Sequence, residues 1–408
     1  MGQEVDVFSE VPETEQRWLA RALKSETVGG LLLMSAALIA LIWANSTWAN
    51  SYESLVNFKI GPESLHLNLT LNVWAADFLL AIFFFVIGCE LKHEFVLGTL
   101  SNPRIAAVPI GAAFGGMITA AAIFLAFNLG TPAQAAWGLP ISTDVAFALA
   151  VLAIAGHRLP MELRSFLLTL AVVNDLGAIL VIAIFYGHGF YAMWFGAAVS
   201  LLFLFGVLQH RKITSLYIFL PLAIVIWYAM FRSGIHATIA GVAMGLLMRV
   251  RKTETEQVSP CDKAEVALRP FSAGFAVPAF AFLAAGVNVL GTTLGEALSD
   301  PLTMGVLCGL IIGQPIGVTF GAFLVSRFTK GTLNPALSWW DVVVVGSLAS
   351  IGFTVALLIA EVSFMNDPAI LVTSKFAIIF TNLVAIIVSV LAISIRSMAI
   401  GRYKTEQL

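Results

Sequence analysis

Between residues 28 and 398 the sequence repeats one pattern: an apolar run, a short polar or basic break, then another apolar run. A helix needs about 20 apolar residues to cross the hydrocarbon core of a bilayer. Only helices and closed barrels satisfy their own backbone hydrogen bonds there. Twelve runs fit a helical reading, at roughly 28–45, 73–98, 106–127, 137–155, 163–186, 190–208, 216–231, 235–249, 270–289, 302–325, 342–362 and 369–395. The 408-residue chain is 59% apolar and 11% charged, against about 45–50% and about 25% in soluble domains. That composition excludes an ordinary soluble enzyme and a disordered chain. A net charge of −2 leaves no basic surface for nucleic acid. The expected fold class is an all-α polytopic membrane protein with twelve transmembrane helices.

Basic residues test the count. With the N-terminus in the cytoplasm, 19 of the 22 Lys and Arg residues fall in inner segments, and only Lys59, Arg232 and Lys375 fall outside. This bias is the positive-inside rule, and a miscounted span would scramble it. Both termini are therefore expected in the cytoplasm, with a segment over 1–27, one membrane domain over 28–398 and a tail over 399–408. The first segment is polar and acidic (Glu4, Asp6, Glu10, Glu13, Glu15), unlike a signal peptide. The long outer connection, about 46–72, carries VNFKI and LHLNLTL around a Gly-Pro-Glu break, which reads as a hairpin. Its edge offers pairing to a second copy of the chain. The charged inner stretch, about 250–269, reads as a solvated loop. Cys89, Cys261 and Cys308 show neither a disulfide framework nor metal-site spacing, and no cofactor is expected.

Ionisable residues deep in a membrane are costly and point to function. Asp175 sits at the midpoint of the fifth run, in LTLAVVNDLGAILVIAIFY, with Asn174 beside it and no basic residue near the middle of any run. Such a carboxylate binds a cation, holds a proton or faces water, the requirements of a proton-coupled cation carrier. Asp144 follows Pro140, Ser142 and Thr143 in the fourth run. Proline loosens the helix there, and an acid at the break offsets the positive end of the helix that follows. A second break, GSLASIGFTVA over 346–356, contains Gly352 and Thr354. If spans three to five and ten to twelve form two repeats, the breaks occupy corresponding places, and paired broken helices mark a transporter's midplane site. Glu90 and Glu94, four apart on one helix face, read as an acidic funnel at the cytoplasmic mouth or as interfacial anchors. Gln314, mid-span, needs a partner, with Asn174 the expected one and local backbone the alternative. His236 reads as a structural histidine or a proton relay.

Seven segments, FFFVIGCELKHE, STDVAFALAVLA, LAVVNDLGAILVIAIFY, SGIHATIAGV, VPAFAFLAAGV, GLIIGQPIG and SIGFTVALLIA, together and in order resemble the bacterial sodium/proton antiporter A family. The resemblance implies inverted repeats, crossed broken helices four and eleven, a homodimer joined through the outer hairpin, and residence in the bacterial inner membrane. It implies Asp175 as the carrier of Na⁺, Li⁺ or H⁺, Thr143 and Asp144 at the crossing, and Glu90 in the funnel. Three departures stand out. Asn174-Asp175 replaces an Asp-Asp pair, and Gln314 replaces a lysine that pairs with the first of those acids. DKAEVALRP (262–270) keeps Glu265 of a histidine-bearing, pH-sensing stretch but carries Val266 and Arg269. Loss of both halves of an ion pair avoids an unpaired buried charge and suggests one-for-one exchange. A Na⁺-coupled organic-anion carrier is the alternative, disfavoured because no basic residue lies near the core. An intramembrane aspartyl protease lacks its Gly-x-Gly-Asp context.

Overall fold

The computed structural model describes residues 13–156, 159–187, 189–254, 256–288, 294–329 and 331–406. Glu4, Asp6 and Glu10, named above, and Arg158 and Lys330, two of the inner basic residues counted above, lie outside the described residues. Helix α1 (Glu13–Ala44) is followed by the short α2 (Ala49–Val56) and by strands β1 (Lys59–Ile60) and β2 (Leu69–Thr70). The strands are antiparallel, with Lys59 opposite Thr70 and Ile60 opposite Leu69. They are only two residues long because α2 consumes the chain up to Val56 and a helical turn, Glu63–Leu65, follows Pro62.

Long helices then alternate across the molecule: α3 (Leu71–Val96), α4 (Pro103–Asn128), α5 (Val145–Ala155, preceded by the stub Pro132–Ile141), α6 (Met161–Phe185), α7 (Ala192–His210), α8 (Leu216–Arg232), α9 (Thr238–Leu247) and α10 (Pro260–Ala285). After the short α11 (Leu294–Ser299) come α12 (Pro301–Phe328), α13 (Trp339–Ala349), α14 (Thr354–Ser363) and α15 (Pro368–Glu406). Among the described residues seven helices are long and apolar enough to cross a membrane, two bent pairs make up to nine, and three shorter apolar helices cover Val28–Ala44, Leu216–Arg232 and Thr238–Leu247. The protein is a polytopic all-α membrane protein. Its outward side chains, such as Phe203 and Tyr217, are apolar or amphipathic, as lipid contact requires.

Local chemistry sets the starts of these helices. Asn102 accepts from the Arg104 N–H and Pro103 takes the first helical position of α4; Asp300 and Pro301 do the same for α12. Ser338 and Asp341 form a reciprocal cap at α13. The same device corrects the expected charged loop. Ser259 caps the N–H of Asp262 and Pro260 follows it, so α10 is helical from residue 260, and DKAEVALRP lies on its first turns rather than in a connection.

Two packing features position the centre. Helices α4 and α12 meet backbone to backbone: a Cβ on Gly115 would lie 2.2 Å from the Gly317 carbonyl oxygen, and one on Gly317 would lie 2.3 Å from that of Gly115. Small residues let helices in lipid approach this closely. Around that seam, α15 packs on α12 and α13, α3 packs on α9, and α1 lies across α5 and α10. Contacts sort the two faces. Asn45 donates to the Val287 carbonyl at 2.7 Å and Asn128 to that of Pro301 at 3.0 Å on the hairpin face. Arg249–Glu256 at 2.6 Å and Arg396–Asp341 at 2.7 Å lie on the opposite face.

Candidate functional site

The stub Pro132–Ile141 and α5 are bent by 48°, and α13 and α14 by 46°. The non-helical links, Ser142–Thr143–Asp144 and Ser350–Ile351–Gly352–Phe353, lie against each other at the centre of the bundle. The Asp144 N–H donates to the Ile351 carbonyl at 2.6 Å. A Cβ on Gly352 would lie 2.2 Å from the Ser142 carbonyl oxygen, so only glycine lets the links cross.

Each break exposes helix ends that need partners. Asp144 serves both N-termini. Its Oδ1 accepts from the Phe147 N–H at 3.2 Å, capping α5, and its Oδ2 accepts from the Thr354 N–H at 3.2 Å and the Thr354 hydroxyl at 2.9 Å, capping α14. The C-terminal ends meet neutral donors. Gln314 Nε2 donates to the Pro140 carbonyl at 3.0 Å, and the Thr143 hydroxyl donates to that of Ala349 at 2.9 Å. Asn174 Nδ2 donates to the Thr143 oxygen at 2.9 Å. The expected Gln314–Asn174 pairing is therefore corrected: both amides turn to the first break, Gln314 to the Pro140 carbonyl that the break leaves without a helical donor and Asn174 to the Thr143 hydroxyl.

Asp175 is different. It is 5% exposed, and among the described residues no hydrogen bond or ion pair reaches it. The charges that act on it most strongly are those of Asp144 and Glu90, both of its own sign. Each helix N-terminus carries roughly half a positive charge, so the two that face Asp144 offset about one unit. Asp144 is thus electrically compensated and Asp175 is not.

A cavity connects these groups to the face opposite the hairpin, with Thr143, Asp144, Asp175, Thr354, Glu90 and Arg269 on its walls. Arg269, on its wall, pairs with Glu90 of α3 and, at 2.5 Å, with Glu265 one turn before it on α10. Of the two acids expected in a funnel, only Glu90 lines this cavity. Glu94 is not on the cavity wall: α3 ends at Val96, and the Glu94 carboxylate accepts from the freed N–H of Thr99 at 2.9 Å. His236 is remote, its Nδ1 3.8 Å from Asp77 on the hairpin face. Asn382, which the sequence did not single out, donates to the Gly352 carbonyl at 3.1 Å. The signal was there: Asn174 follows Thr143 by 31 residues and Asn382 follows Gly352 by 30.

A sequence profile of the Na⁺/H⁺ antiporter 1 family matches residues 20–393. The chain belongs to this family. It is similar to curated Na⁺/H⁺ antiporters named NhaA: 46% identical to one from Thermobifida fusca, covering 93% of this chain and 94% of the relative. Identity is 48% to one from Mycolicibacterium smegmatis, covering 93% and 88%. It is 46% to the relative named NhaA 3 from Streptomyces coelicolor, covering 96% and 83%.

Proposed function

We propose that this secondary transporter exports cytoplasmic Na⁺, or Li⁺, in exchange for external H⁺, with Asp175 as the group that carries each in turn. One observation carries the reading: Asp175 is buried on the wall of a cavity, beside two crossed breaks, and among the described residues no partner satisfies its charge. A bound Na⁺ or a bound proton each neutralises it, so either ion displaces the other. Thr143, Asn174, Asp144 and Gln314 hold the breaks that frame the carboxylate. Glu90 and Arg269 line the way in from the cytoplasm, with Glu265 holding Arg269 from behind. Arg269, already engaged by two carboxylates, leaves little to attract an organic anion, which argues against an anion carrier. We place the chain in the bacterial inner membrane with both termini in the cytoplasm. The three shorter apolar helices complete twelve spans, and two copies pair through the hairpin.

Stoichiometry follows from the side chains. Asn174 and Gln314 do not titrate, and Asp144 is committed to two helix ends. Asp175 alone binds one H⁺ or one Na⁺, and one-for-one exchange moves no net charge. The membrane potential, worth about 2.3 kcal/mol per charge per 100 mV, then does not drive transport. The test is Na⁺-dependent pH change in proteoliposomes of purified protein, with and without a K⁺-diffusion potential. Exchange should be insensitive to voltage and absent in Asp175→Asn with the protein still folded. Exchange retained by that variant overturns the carrier assignment; a voltage-dependent end point overturns the one-for-one ratio.

A further inference from the structure

Helices α14 and α15 run antiparallel and are fastened at two depths. At the crossing, Asn382 of α15 holds the Gly352 carbonyl just ahead of α14. Toward the hairpin face, Lys375 Nζ of α15 lies 2.5 Å from Glu361 Oε1 of α14. Seven residues separate Thr354 from Glu361, and seven separate Lys375 from Asn382. Seven residues are close to two helical turns, about 10.5 Å, and return to nearly the same face. The stripe of α14 that grips Asp144 through Thr354 therefore also carries Glu361, and the stripe of α15 that grips the second break also carries Lys375.

A third contact reaches this pair from elsewhere in the bundle. Asn72, in the first turn of α3, donates from Nδ2 to the same Glu361 Oε1 at 3.0 Å. The far end of α3 carries Glu90 at the mouth of the cavity. Asn72, Glu361 and Lys375 contribute nothing to the cavity walls. In this structure the carboxylate at the crossing opens away from the hairpin, and the cluster stands on the closed side.

We propose that Glu361 is a positioning residue for exchange: its ion pair with Lys375 makes α14 and α15 move as one body, and the hydrogen bond it accepts from Asn72 is the latch that opens when Asp175 turns to the hairpin side. The inference rests on the exchange reading above. A ligand or a substitution shifts a two-state equilibrium only through a contact that differs between the states. Asn72–Glu361 is such a contact, joining α3 to the α14–α15 body on the closed side only. The two roles separate, because removing Asn72 leaves the ion pair in place.

The experiment uses full-length protein reconstituted with known orientation and reads the apparent KM for Na⁺ from each side. Asn72→Ala should shift the ratio of the two KM values about tenfold in favour of the hairpin side, the factor carried by one hydrogen bond to a charged group, with the maximal rate nearly unchanged. Glu361→Gln should lower the maximal rate, and the exchanged pair Glu361→Lys with Lys375→Glu should recover most of it. A merely structural pair would not move the KM ratio in the Asn72 variant. The proposal is overturned if the parent exchanges Na⁺ while Asn72→Ala leaves that ratio unchanged, or if the exchanged pair folds, by its thermal unfolding, and recovers no rate. A parent that exchanges nothing overturns the exchange reading first, and this one with it.

Discussion

At the first break the chain caps its own helix: Asp144 is the residue before α5 and binds the N–H of Phe147. At the second, α14 begins behind Phe353, whose side chain caps nothing, and the helix takes its anion from the first break. The backbones are alike, each bent by nearly the same angle. The side chains are not. Glycine is required at the second break, where Gly352 meets the Ser142 carbonyl, whereas Ser142 at the first has a buried hydroxyl with no hydrogen-bond partner. Two similarly bent breaks thus share a single charge. The arrangement spends no second carboxylate on structure, and Asp175 remains the acid without a structural task.

If that sharing is real, Asp144→Asn should have the largest effect among substitutions at the breaks. Two helix N-termini lose their anion at once, each worth about 0.3–1 kcal/mol or up to about 2 kcal/mol where buried. The exchange rate should fall at least about tenfold, a barrier change of about 1.4 kcal/mol, while the ratio of H⁺ to Na⁺ measured in vesicles stays the same. A changed ratio would mean that Asp144 itself loads a proton. Next, Gly352→Ala should destabilise the protein by about 1–3 kcal/mol, because the new methyl overlaps backbone that cannot retreat. Ser142→Ala, on the other side of the same contact, should stay within about 0.5 kcal/mol. Denaturation of the two purified variants would show the asymmetry, and equal losses would erase it. Thr354→Val removes only the hydroxyl contact to Asp144 and should cost about 1 kcal/mol, with α14 still capped through its N–H.

The smallest effect is expected far from both breaks. Arg249 holds the Glu256 carboxyl down to about 2. A depressed acid stabilises the fold above its ordinary titration range, near 4.3, and that contribution disappears as the pH falls through about 2. Thermal unfolding of Glu256→Gln should therefore differ from the parent by a constant amount between about pH 6 and 9, with the difference closing only below about pH 4. A difference that changes within the neutral range would make the loop a pH-responsive element after all.

Much of this was legible in the sequence because membrane helices announce themselves by length. The two breaks were legible from Pro140 and from the small residues around Gly352, and Asp175 from its depth in an uncharged run. Partnerships were less legible. Gln314 and Asn174 looked like each other's partners, since neither had another amide nearby in the sequence. The competing acceptor, the Pro140 carbonyl, is a backbone atom that any residue would supply, and only the fold brings it within reach. Glu361 and Lys375 sit near span ends, where charges usually meet headgroups, so nothing local marks them as a pair. Arg269 was hidden for another reason. DKAEVALRP has the composition of a solvated loop, and its helical start is signalled only by Ser259 and Pro260 just ahead of it.

The glycine seam between α4 and α12 has a consequence for how such a chain can drift in sequence. When two side chains collide, shrinking one makes room for growth of the other, and a lineage can pass through the exchange. At Gly115 and Gly317 the opposing atom is a carbonyl oxygen, which every amino acid presents identically. No second substitution on the facing helix relieves a side chain introduced there. Compensation is closed to these positions, and the seam forms a fixed axis that sequence drift elsewhere has to leave in place.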